Sequence, residues 1–318
     1  MSSQPFFSVI IPCKSIDEYA RESVYRCMQL DYKNFEVILL PDEATENLEG
    51  TKIISTGPVT PGKKRNIGIA NSAGEICAFI DSDAYPRRDW LKNAVKNLED
   101  PEIAAVGGPG LTPEGDSLMQ KAGGLVLSSF MVGSLSKRYD SKNACVSDDI
   151  HSCNFVARKS VLADAGGWNE KYWPGEDTLI CRAIKSLGKK SIEAPDVVVY
   201  HHRHSLFKPH LKQVSRFGEH RGFFVKKFPE NSVKLTYFLP TLLIFSLIIG
   251  MILSMVFPLF AYVMLFCVST YLFLGLSAAI MQVKNPRLLL SVWLGIIATH
   301  VVYGFFFLSG IVKRDLSR

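Results

Sequence analysis

The stretch Ile76-Cys-Ala-Phe-Ile80, followed directly by Asp81-Ser-Asp83, carries the clearest sign of the fold. Five apolar residues that end in turn-forming acids are typical of a buried strand that runs into a loop. A helix is predicted just before this strand, from about Gly62 to Ala73, and Gly74 is a residue type that commonly follows helices. Helix and strand in this order indicate a parallel sheet covered by helices.

The same alternation of helix and strand extends to both sides of this stretch. Ser15-Ile-Asp-Glu18 matches the capping box that starts a helix, and Asp89 can cap a later one. Further strands are predicted at residues 7–11, 35–40, 52–55 and 103–106, and further helices at 15–30 and 89–98. The sequence therefore predicts an α/β domain with a mostly parallel, doubly wound sheet, in which ligands bind at the carboxyl ends of the strands.

Acidic side chains follow two of the predicted strands at this ligand-binding edge. Asp42 comes after the strand at 35–40, and Asp81 and Asp83 come after the strand at 76–80. Two carboxylates one residue apart can hold Mg²⁺ or Mn²⁺, which prefer oxygen ligands. Asp-Ser-Asp is also ordinary turn composition, so a solvated turn is the alternative interpretation.

A basic stretch, Lys63-Lys64-Arg65, lies at the start of the helix that precedes the strand at 76–80. Positive charge at the amino end of a helix opposes the helix dipole, and a bound anion such as a diphosphate would relieve this. The alternative is a solvated helix face. The nearby pair of aspartates favours the diphosphate.

The carboxyl-terminal part of the chain is apolar. Residues 235–283 contain no charged side chain, and in 288–312 His300 is the only histidine, acid or base. Because a helix of about 20 apolar residues crosses a bilayer, we predict transmembrane helices at 237–256, 258–281 and 288–312, with Phe257-Pro258 as a turn. Residues 1–7 lack the basic start and apolar stretch of a signal peptide. We therefore expect a cytoplasmic domain at 1–232 and a membrane region at 233–318.

Positive charges agree with this orientation only in part. The bases beside the first two predicted spans lie where the positive-inside rule places cytoplasmic charge. These are Lys226, Lys227, Lys234, Lys284 and Arg287. Lys313, Arg314 and Arg318 follow the third span, and three full crossings would put them outside. A third segment that re-enters the membrane would remove this conflict, but three crossings remain our prediction.

Composition excludes several other classes of protein. The 318 residues include 36 Lys and Arg against 30 Asp and Glu, and most of the positive excess lies at the membrane end, so we do not expect nucleic-acid binding. The 7 cysteines form no CxxC pair and no metal-like spacing. We expect them to be small buried side chains that stay reduced in the cytoplasm.

Several short motifs occur in a specific order, although each is weak alone. They are Ser8-Val-Ile-Ile-Pro12, Arg65-Asn-Ile-Gly68 with Ala70, Ala73-Gly-Glu75, Phe79-Ile-Asp-Ser-Asp83, Gly166-Gly-Trp168 and Gly175-Glu-Asp177. Over about residues 7–225 the chain resembles the family 2 glycosyltransferases. The resemblance implies a Rossmann-like GT-A domain, a nucleotide-diphospho-sugar donor, a divalent cation (Mn²⁺ or Mg²⁺) and inversion at the anomeric carbon.

The resemblance implies donor-binding roles for the first half of the motifs. Asp42 binds the nucleoside, Asp81 the ribose or the base, and Pro12 ends the strand that frames the nucleotide. Lys64 and Arg65 contact the diphosphate. Where the family often has two adjacent acids after the second strand, this chain has Pro41-Asp42, which weakens the assignment of Asp42.

The remaining implied roles concern the metal. Asp83 coordinates the cation, and His201 or His202 becomes a further ligand, since neutral imidazole binds manganese. Five of the 7 histidines lie between residues 201 and 220, among several bases. The alternative for most of them is a basic belt that faces anionic lipid headgroups.

Glu176-Asp177 matches the acidic pair of the family, in which the aspartate is the general base. An acceptor hydroxyl must lose its proton as it attacks the sugar, and a carboxylate within hydrogen-bond reach can take it. Asp177 also precedes an amphipathic helix, so the alternative is a simple N-cap. Glu176 and Asn154 are predicted to contact the acceptor, although a lone Asn is often a turn residue. Residues 117–136 are predicted to be core or an interfacial helix.

The sequence thus predicts a multi-pass cell-membrane glycosyltransferase, with a cytoplasmic active site, that acts on a glycan, glycolipid or polyprenyl-linked acceptor in envelope polysaccharide synthesis. The prediction requires Asp42, Asp81, Asp83 and Asp177 to surround one cavity. The nearest alternative is a polyprenyl-phosphate glycosyltransferase, whose phosphate nucleophile needs no base. A nucleotidyltransferase would need a glycine-rich basic start that is absent here, and a non-catalytic membrane scaffold is the last alternative.

Overall fold

The computed structural model describes residues 4–132, 143–283 and 285–316, and its chain divides into two compact units. Met1–Pro113 and Lys137–His202 form the first, which we call the sheet unit, and Glu114–Ser136 and Arg203–Arg318 form the second, the helical unit. Of the described residues, 114–132 and 203–232 therefore group with the apolar helices. The functional boundary at residues 232 and 233 stays a prediction.

The sheet unit is built from eleven strands and five helices among the described residues. The strands are β1 (Phe7–Pro12), β2 (Phe35–Leu40), β3 (Thr51–Ile53), β4 (Ile76–Phe79), β5 (Ala84–Pro86), β6 (Ile103–Gly107), β7 (Gly110–Leu111), β8 (Cys145–Val146), β9 (Phe155–Arg158), β10 (Lys190–Glu193) and β11 (Val199–His201). The helices are α1 (Glu18–Met28), α2 (Pro61–Ala70), α3 (Trp90–Asn97), α5 (Lys159–Asp164) and α6 (Glu176–Ser186).

The main sheet has the order β3-β2-β1-β4-β9-β6-β10-β8. Strands β3, β2, β1 and β4 are parallel, whereas β9 runs antiparallel to both of its neighbours. A smaller sheet has the order β5-β11-β7. The predicted α/β, mostly parallel GT-A architecture is confirmed. The antiparallel strand β9 was not among the predicted strands, because residues 155–158 carry no clear strand pattern.

Apolar side chains cover both faces of the main sheet. One cluster joins β1, β2 and β4 to α1 and α3, and the other joins the opposite face to α5 and α6. Phe79, Phe155 and Trp168 form an edge-to-face aromatic group in the second cluster. Burial of both faces fixes the strands in register, so that Pro12 pairs with Leu40 at the carboxyl edge.

Helix boundaries differ slightly from the predictions. The helix expected at 62–73 runs over Pro61–Ala70, because Thr60 caps it and Pro61 occupies its first turn. Asp89 stands at the amino end of α3 as predicted, but its side chain makes no cap bond there. The carboxylate accepts from Arg87 Nε at 2.6 Å instead.

The helical unit contains α4 (Leu118–Ser128), α7 (Lys208–Lys227), α8 (Pro229–Ser232), α9 (Leu235–Val256), α10 (Pro258–Ile280) and α11 (Pro286–Val312). By length and apolar composition, α9, α10 and α11 can each cross a membrane, with mean hydropathies of 2.4, 2.1 and 1.9. This confirms the three predicted apolar helices.

Other sequence predictions fall partly on these elements. The segment predicted at 117–136 forms α4, which opens with a capping box between Ser117 and Gln120. Residues 133–136, Lys284 and Arg318 lie outside the described residues. The 7 cysteines are free thiols, and five of them are buried.

His210 on α7 is a buried histidine whose surroundings favour the neutral ring. Its Nε2 lies 2.9 Å from Thr299 Oγ1 on α11. Burial lowers the pKa of His210 to about 4, with a smaller contribution from nearby His204. The unfolded chain binds this proton near pH 6.5 and the folded chain does not, so stability is lost as pH falls from about 6.5 towards 4.

We therefore expect His210 to contribute a loss of about 2 kcal/mol of folding stability between pH 7.5 and pH 5. The measurement is the unfolding midpoint of the full chain in detergent at both pH values, for the parent and for His210→Gln. The His210→Gln variant should show the smaller pH dependence. Equal pH dependence of the parent and of His210→Gln would contradict the assignment.

Candidate active site

Helix α2 brings two cations to the carboxyl edge of the main sheet. Its start packs closely against the loop after α5, since a Cβ on Gly62 would lie 2.3 Å from the carbonyl oxygen of Asn169. Gly68 likewise packs against Ile10 of β1, where a Cβ would lie 2.5 Å from that side chain. These close approaches hold Lys64 and Arg65 beneath the loops that follow β2 and β4.

Lys64 is buried and fully engaged. Its Nζ donates to Asp42 Oδ1 at 2.6 Å, to Thr56 Oγ1 at 2.7 Å and to the carbonyl oxygen of Cys13 at 2.8 Å. Asp42 itself is partly exposed, with 21% of its side chain accessible. The ammonium group therefore fixes the Asp42 carboxylate at the end of β2 and leaves one edge of it open.

Arg65 joins two carboxylates that are distant in sequence. One terminal nitrogen donates to Asp81 Oδ1 at 2.8 Å and the other to Glu176 Oε1 at 2.9 Å. The guanidinium lies over the ring of Trp168, 4.8 Å from its centroid, and also donates to Ser152 Oγ at 3.0 Å. Burial opposes the charge of Arg65, but the two carboxylates outweigh it and raise its pKa.

Glu176 and Asp177 form the first turn of α6. Gly175 precedes them with φ of 118°, a left-handed conformation that favours glycine, and this sharp turn starts the helix. Glu176 is buried at 3% exposure, and burial raises its pKa to about 7, although Arg65 acts in the opposite direction. Asp177 is half-buried.

Asp177 is not the N-cap of α6, although its carboxylate does bind the helix start. Gly175 occupies the cap position, so Asp177 is the second residue of the helix. Its Oδ1 accepts from the backbone N–H of Thr178 at 2.8 Å. One oxygen of the carboxylate thus supports the helix start, as an acid in the first turn commonly does.

Replacing Arg65 by Met is expected to destabilise the folded chain by about 3–5 kcal/mol, because it strands buried carboxylate charge. The measurement is the denaturant midpoint of the full chain in detergent, followed by tryptophan fluorescence. Adding Glu176→Gln to Arg65→Met should recover part of the loss, since it removes one stranded charge.

Arg88→Met is the matched control, because Arg88 is 74% exposed and pairs with Asp31 only at 3.3 Å. It should cost about 0.5 kcal/mol or less. A similar small cost for Arg65→Met would show that the two carboxylates do not depend on the guanidinium.

Asp81, Asp83 and His201 form a group that can hold a metal ion. One ligand atom from each residue lies within 4.8 Å of the others, and all three side chains are half-buried. His201 Nε2 lies 3.3 Å from Asp83 Oδ1. Two carboxylates and one imidazole suit a cation of Mn²⁺ type, with water or donor oxygens completing the coordination, so the residues present fit a divalent cation.

Strand pairing explains why His201 belongs to this group. Strand β11 runs antiparallel to β5, and His201 stands opposite Ala84, the residue after Asp83. The side chain of His202 lies elsewhere, with its Nε2 3.2 Å from Glu22 Oε2 and its ring against Tyr19. The ring of His201 therefore belongs to the group, whereas His202 contacts Asp83 through its backbone N–H, which donates to the Asp83 carbonyl oxygen at 2.9 Å.

Two further predicted residues are buried. Pro12 ends β1 and pairs with Leu40, and its role in framing the nucleotide stays a prediction. Asn154 uses both ends of its amide inside the fold, accepting from Trp90 Nε1 at 2.8 Å and donating to the carbonyl oxygen of Val197 at 2.8 Å. Contact of Asn154 with an acceptor stays a prediction.

The structure adds three residues to the site that sequence reasoning did not assign. Thr56 helps to hold Lys64, whereas Ser152 and Trp168 hold Arg65. Trp168 belongs to a quoted motif, so its position was a usable signal. Thr56 and Ser152 lie in loops of ordinary composition, and only their contacts identify them.

Comparisons with known proteins agree with this arrangement. The family model described as Glycosyl transferase family 2 matches residues 8–166. A dolichyl N-acetyl-alpha-D-glucosaminyl phosphate 3-beta-D-2,3-diacetamido-2,3-dideoxy-beta-D-glucuronosyltransferase from Methanococcus voltae is 23% identical over 334 aligned residues, which cover 98% of this chain and 98% of that protein. Glycosyltransferase AglE from Haloferax volcanii is 26% identical over 218 residues, 63% of this chain and 68% of that protein.

A solved structure shares the fold. The mannosyltransferase PcManGT from Pyrobaculum calidifontis, in complex with GDP-Man and Mn²⁺, superposes with a TM-score of 0.55 at 19% identity, and the match covers 99% of this chain and 89% of that one. The match therefore extends across the sheet unit and the helical unit alike.

Proposed function

Because the chain belongs to glycosyl transferase family 2, we propose that it transfers a sugar from a nucleotide-diphospho-sugar to a hydroxyl group of a membrane-associated acceptor, with inversion at the anomeric carbon. One observation carries the proposal. Arg65 binds Asp81 of the candidate metal group, and it also binds Glu176, the neighbour of Asp177. One guanidinium therefore holds the proposed metal-binding loop close to the helix start that carries the proposed base.

A lipid-linked saccharide is the acceptor class that we propose. The Methanococcus voltae relative is named for action on a dolichyl N-acetylglucosaminyl phosphate, and it aligns with almost the whole of this chain. The apolar helices α9, α10 and α11 suit an enzyme that meets its acceptor in a membrane. Such an acceptor belongs to glycolipid or envelope polysaccharide synthesis.

Donor binding is proposed for the edge formed by the ends of β1, β2 and β4. Asp42, held by Lys64, would accept hydrogen bonds from the nucleoside, and Pro12 would frame it. Asp81, Asp83 and His201 would hold Mn²⁺ or Mg²⁺. When bound, the cation would neutralise the negative charge that develops on the departing diphosphate.

Lys64 and Arg65 lie at the same edge and bind its carboxylates. Their nitrogens are engaged with Asp42, Asp81 and Glu176, which supports a role in holding those carboxylates. Direct contact of either cation with the diphosphate stays a prediction.

The chemical step assigns the base to Asp177. The acceptor oxygen forms a bond to the anomeric carbon while the bond from that carbon to the diphosphate oxygen breaks, and the diphosphate leaves with the electron pair. The hydroxyl proton passes to the Asp177 carboxylate. Glu176, held by Arg65, would fix the first turn of α6 so that Asp177 faces the acceptor.

The proposed location is the cell membrane, with the sheet unit in the cytoplasm, where nucleotide sugars are made. Positive charges around α9 support this side, because Lys226, Lys227 and Lys234 precede its first turn.

The test uses the full chain in membranes with a panel of nucleotide-diphospho-sugars and Mn²⁺ or Mg²⁺. Release of nucleoside diphosphate is scored with a lipid-linked saccharide, with a polyprenyl phosphate and without acceptor. We expect release that requires both one donor and the saccharide. Release with polyprenyl phosphate alone would favour the polyprenyl-phosphate alternative, and donor binding without any release would favour a non-catalytic scaffold.

A further inference from the structure

Helix α7 runs alongside the carboxyl-terminal half of α11. His210 lies against Thr299 at 2.9 Å, near the start of α7, and Lys226 Nζ donates to the carbonyl oxygen of Lys313 at 2.5 Å, near its end. The two helices are parallel. At a rise of 1.5 Å per residue, they lie side by side over about 24 Å between these two contacts.

Glycines bring the two backbones into direct contact. A Cβ on Gly222 of α7 would lie 2.0 Å from the carbonyl oxygen of Phe307, and one on Gly218 would lie 2.7 Å from that of Tyr303. From the other side, a Cβ on Gly310 of α11 would lie 2.0 Å from the carbonyl oxygen of Glu219. Contacts this close leave no room for lipid between the helices.

Electrostatic contacts join the same ends. Lys313 Nζ lies 2.8 Å from Glu219 Oε1, and Ser309 Oγ donates to the same oxygen at 3.5 Å. The end of α11 therefore lies next to charged groups of α7.

Helix α7 cannot occupy the hydrocarbon part of a bilayer. Its exposed residues include five bases along its whole length: Lys208, Lys212, Arg216, Lys226 and Lys227. A charged side chain at the centre of a membrane helix is strongly disfavoured. If α11 crossed the bilayer, α7 beside it would carry several of these charges through the apolar layer.

Both ends of the α9–α10 hairpin also lie against α11. Near the start of α9, Thr241 Oγ1 donates to the carbonyl oxygen of Gly304 at 2.9 Å. In the second half of α10, the carbonyl oxygen of Leu272 accepts from Trp293 Nε1 at 3.0 Å. Near the end of α10, Ala278 and Ala279 belong to one apolar cluster with Ile296 of α11. The two ends of a spanning hairpin lie on the same side of a bilayer. The part of α11 between Trp293 and Gly304 therefore lies along that side.

The rest of the hairpin extends away from α11. Among residues 242–270, which include the turn at Phe257, none is buried. With 22 and 23 residues, α9 and α10 are each long enough to cross about 30 Å of hydrocarbon.

One stripe of α11 remains open to lipid. Its large exposed apolar residues recur at helical spacing along one face: Leu290, Leu294, Val301, Phe305, Leu308 and Val312. The other sides of α11 are covered: Gly310 packs on α7, Gly304 packs on α9, and His300 Nε2 lies 2.8 Å from the carbonyl oxygen of Met131. The stripe gives α11 one lipid-facing side, which a helix that lies in the membrane interface needs.

We infer that α11 lies along the membrane surface and that only α9 and α10 cross the bilayer, so that the tail after α11 is on the same side as α7. This departs from our prediction of three crossings. It also removes the charge conflict of that prediction, because Lys313 and Arg314 then join Lys226 and Lys227 on one side. The inference does not depend on the proposed reaction.

The test is labelling of single introduced cysteines with a membrane-impermeant maleimide in sealed vesicles of both orientations. Asp315→Cys reports the tail, Lys227→Cys the end of α7 and Phe257→Cys the hairpin turn, each in the full chain against the parent background. We expect Asp315→Cys and Lys227→Cys to be labelled from one face and Phe257→Cys from the other.

Three results would overturn the inference. Labelling of Asp315→Cys from the face that labels Phe257→Cys would restore three crossings. Labelling of Asp315→Cys equally from both faces would exclude a single placement of the tail. Labelling of all three variants from one face would show that the hairpin does not cross.

Discussion

Replacing Asp83 by Ala is expected to lower kcat for sugar transfer by about 10³-fold, since a bound cation contributes several kcal/mol to charge stabilisation on a leaving group. The Asp83 carboxylate lies in the candidate metal group and 3.3 Å from His201, so the substitution removes one proposed ligand and a contact of another. The measurement is steady-state release of nucleoside diphosphate across a Mn²⁺ titration, with the donor that the panel identifies.

Asp164→Ala is the matched control, because Asp164 is an exposed aspartate at the end of α5. It should leave both kcat and the Mn²⁺ dependence unchanged. Full turnover by Asp83→Ala at the parent's Mn²⁺ optimum would remove Asp83 from the metal site. Chelation of the parent's cation should reproduce the loss, and added Mn²⁺ should reverse it in the parent but not in Asp83→Ala.

Replacing Asp177 by Asn is expected to lower kcat by about 10²–10⁴-fold with a hydroxyl acceptor, the range for removal of a general base. The amide keeps the size of the side chain and can still accept from the N–H of Thr178, so α6 should start as before. KM for the donor should change little, because Asp177 is not proposed to contact it. The measurement is kcat and KM with the lipid-linked saccharide.

The same variant separates the two acceptor classes. A polyprenyl phosphate is already ionised and needs no base, so with that acceptor Asp177→Asn should cost far less than with a saccharide. Unchanged kcat with the saccharide would remove Asp177 from the chemistry. A loss of donor binding in the variant would indicate that Asp177 shapes the donor site instead.

Local sequence patterns predicted most elements of the site but not their partners. Asp81 and Asp83 were placed at the sheet edge because they directly follow a run of buried residues. Lys64 and Arg65 were recognised as a basic helix start, but their partners Asp42 and Glu176 lie 22 and 111 residues away. No periodicity within one helix shows which distant acid neutralises a cation, because that choice depends on how α2 and α6 pack on the sheet.

For His201 and His202 as well, the sequence alone does not show which side chain reaches the aspartates. His201 and His202 are adjacent and chemically equal, so the sequence predicts either of them as the ligand. His201 is the last residue of β11 and stands opposite Ala84 of β5, whereas His202 lies just beyond the strand, so strand pairing decides which ring meets Asp83. The ring of His202 instead contacts Glu22 and Tyr19 on α1.

Apolar runs and alternating short strands were enough to predict an α/β sheet domain followed by three long apolar helices, because burial and helix length are properties of the chain itself. Whether α11 crosses the membrane is a different kind of question. Its apolar composition would allow it to span, and the inference that it does not rests on contacts in the folded chain, chiefly the glycine contacts with the charged α7. Those contacts join residues 85 positions apart, such as Gly222 and Phe307, and the folded chain alone brings them together.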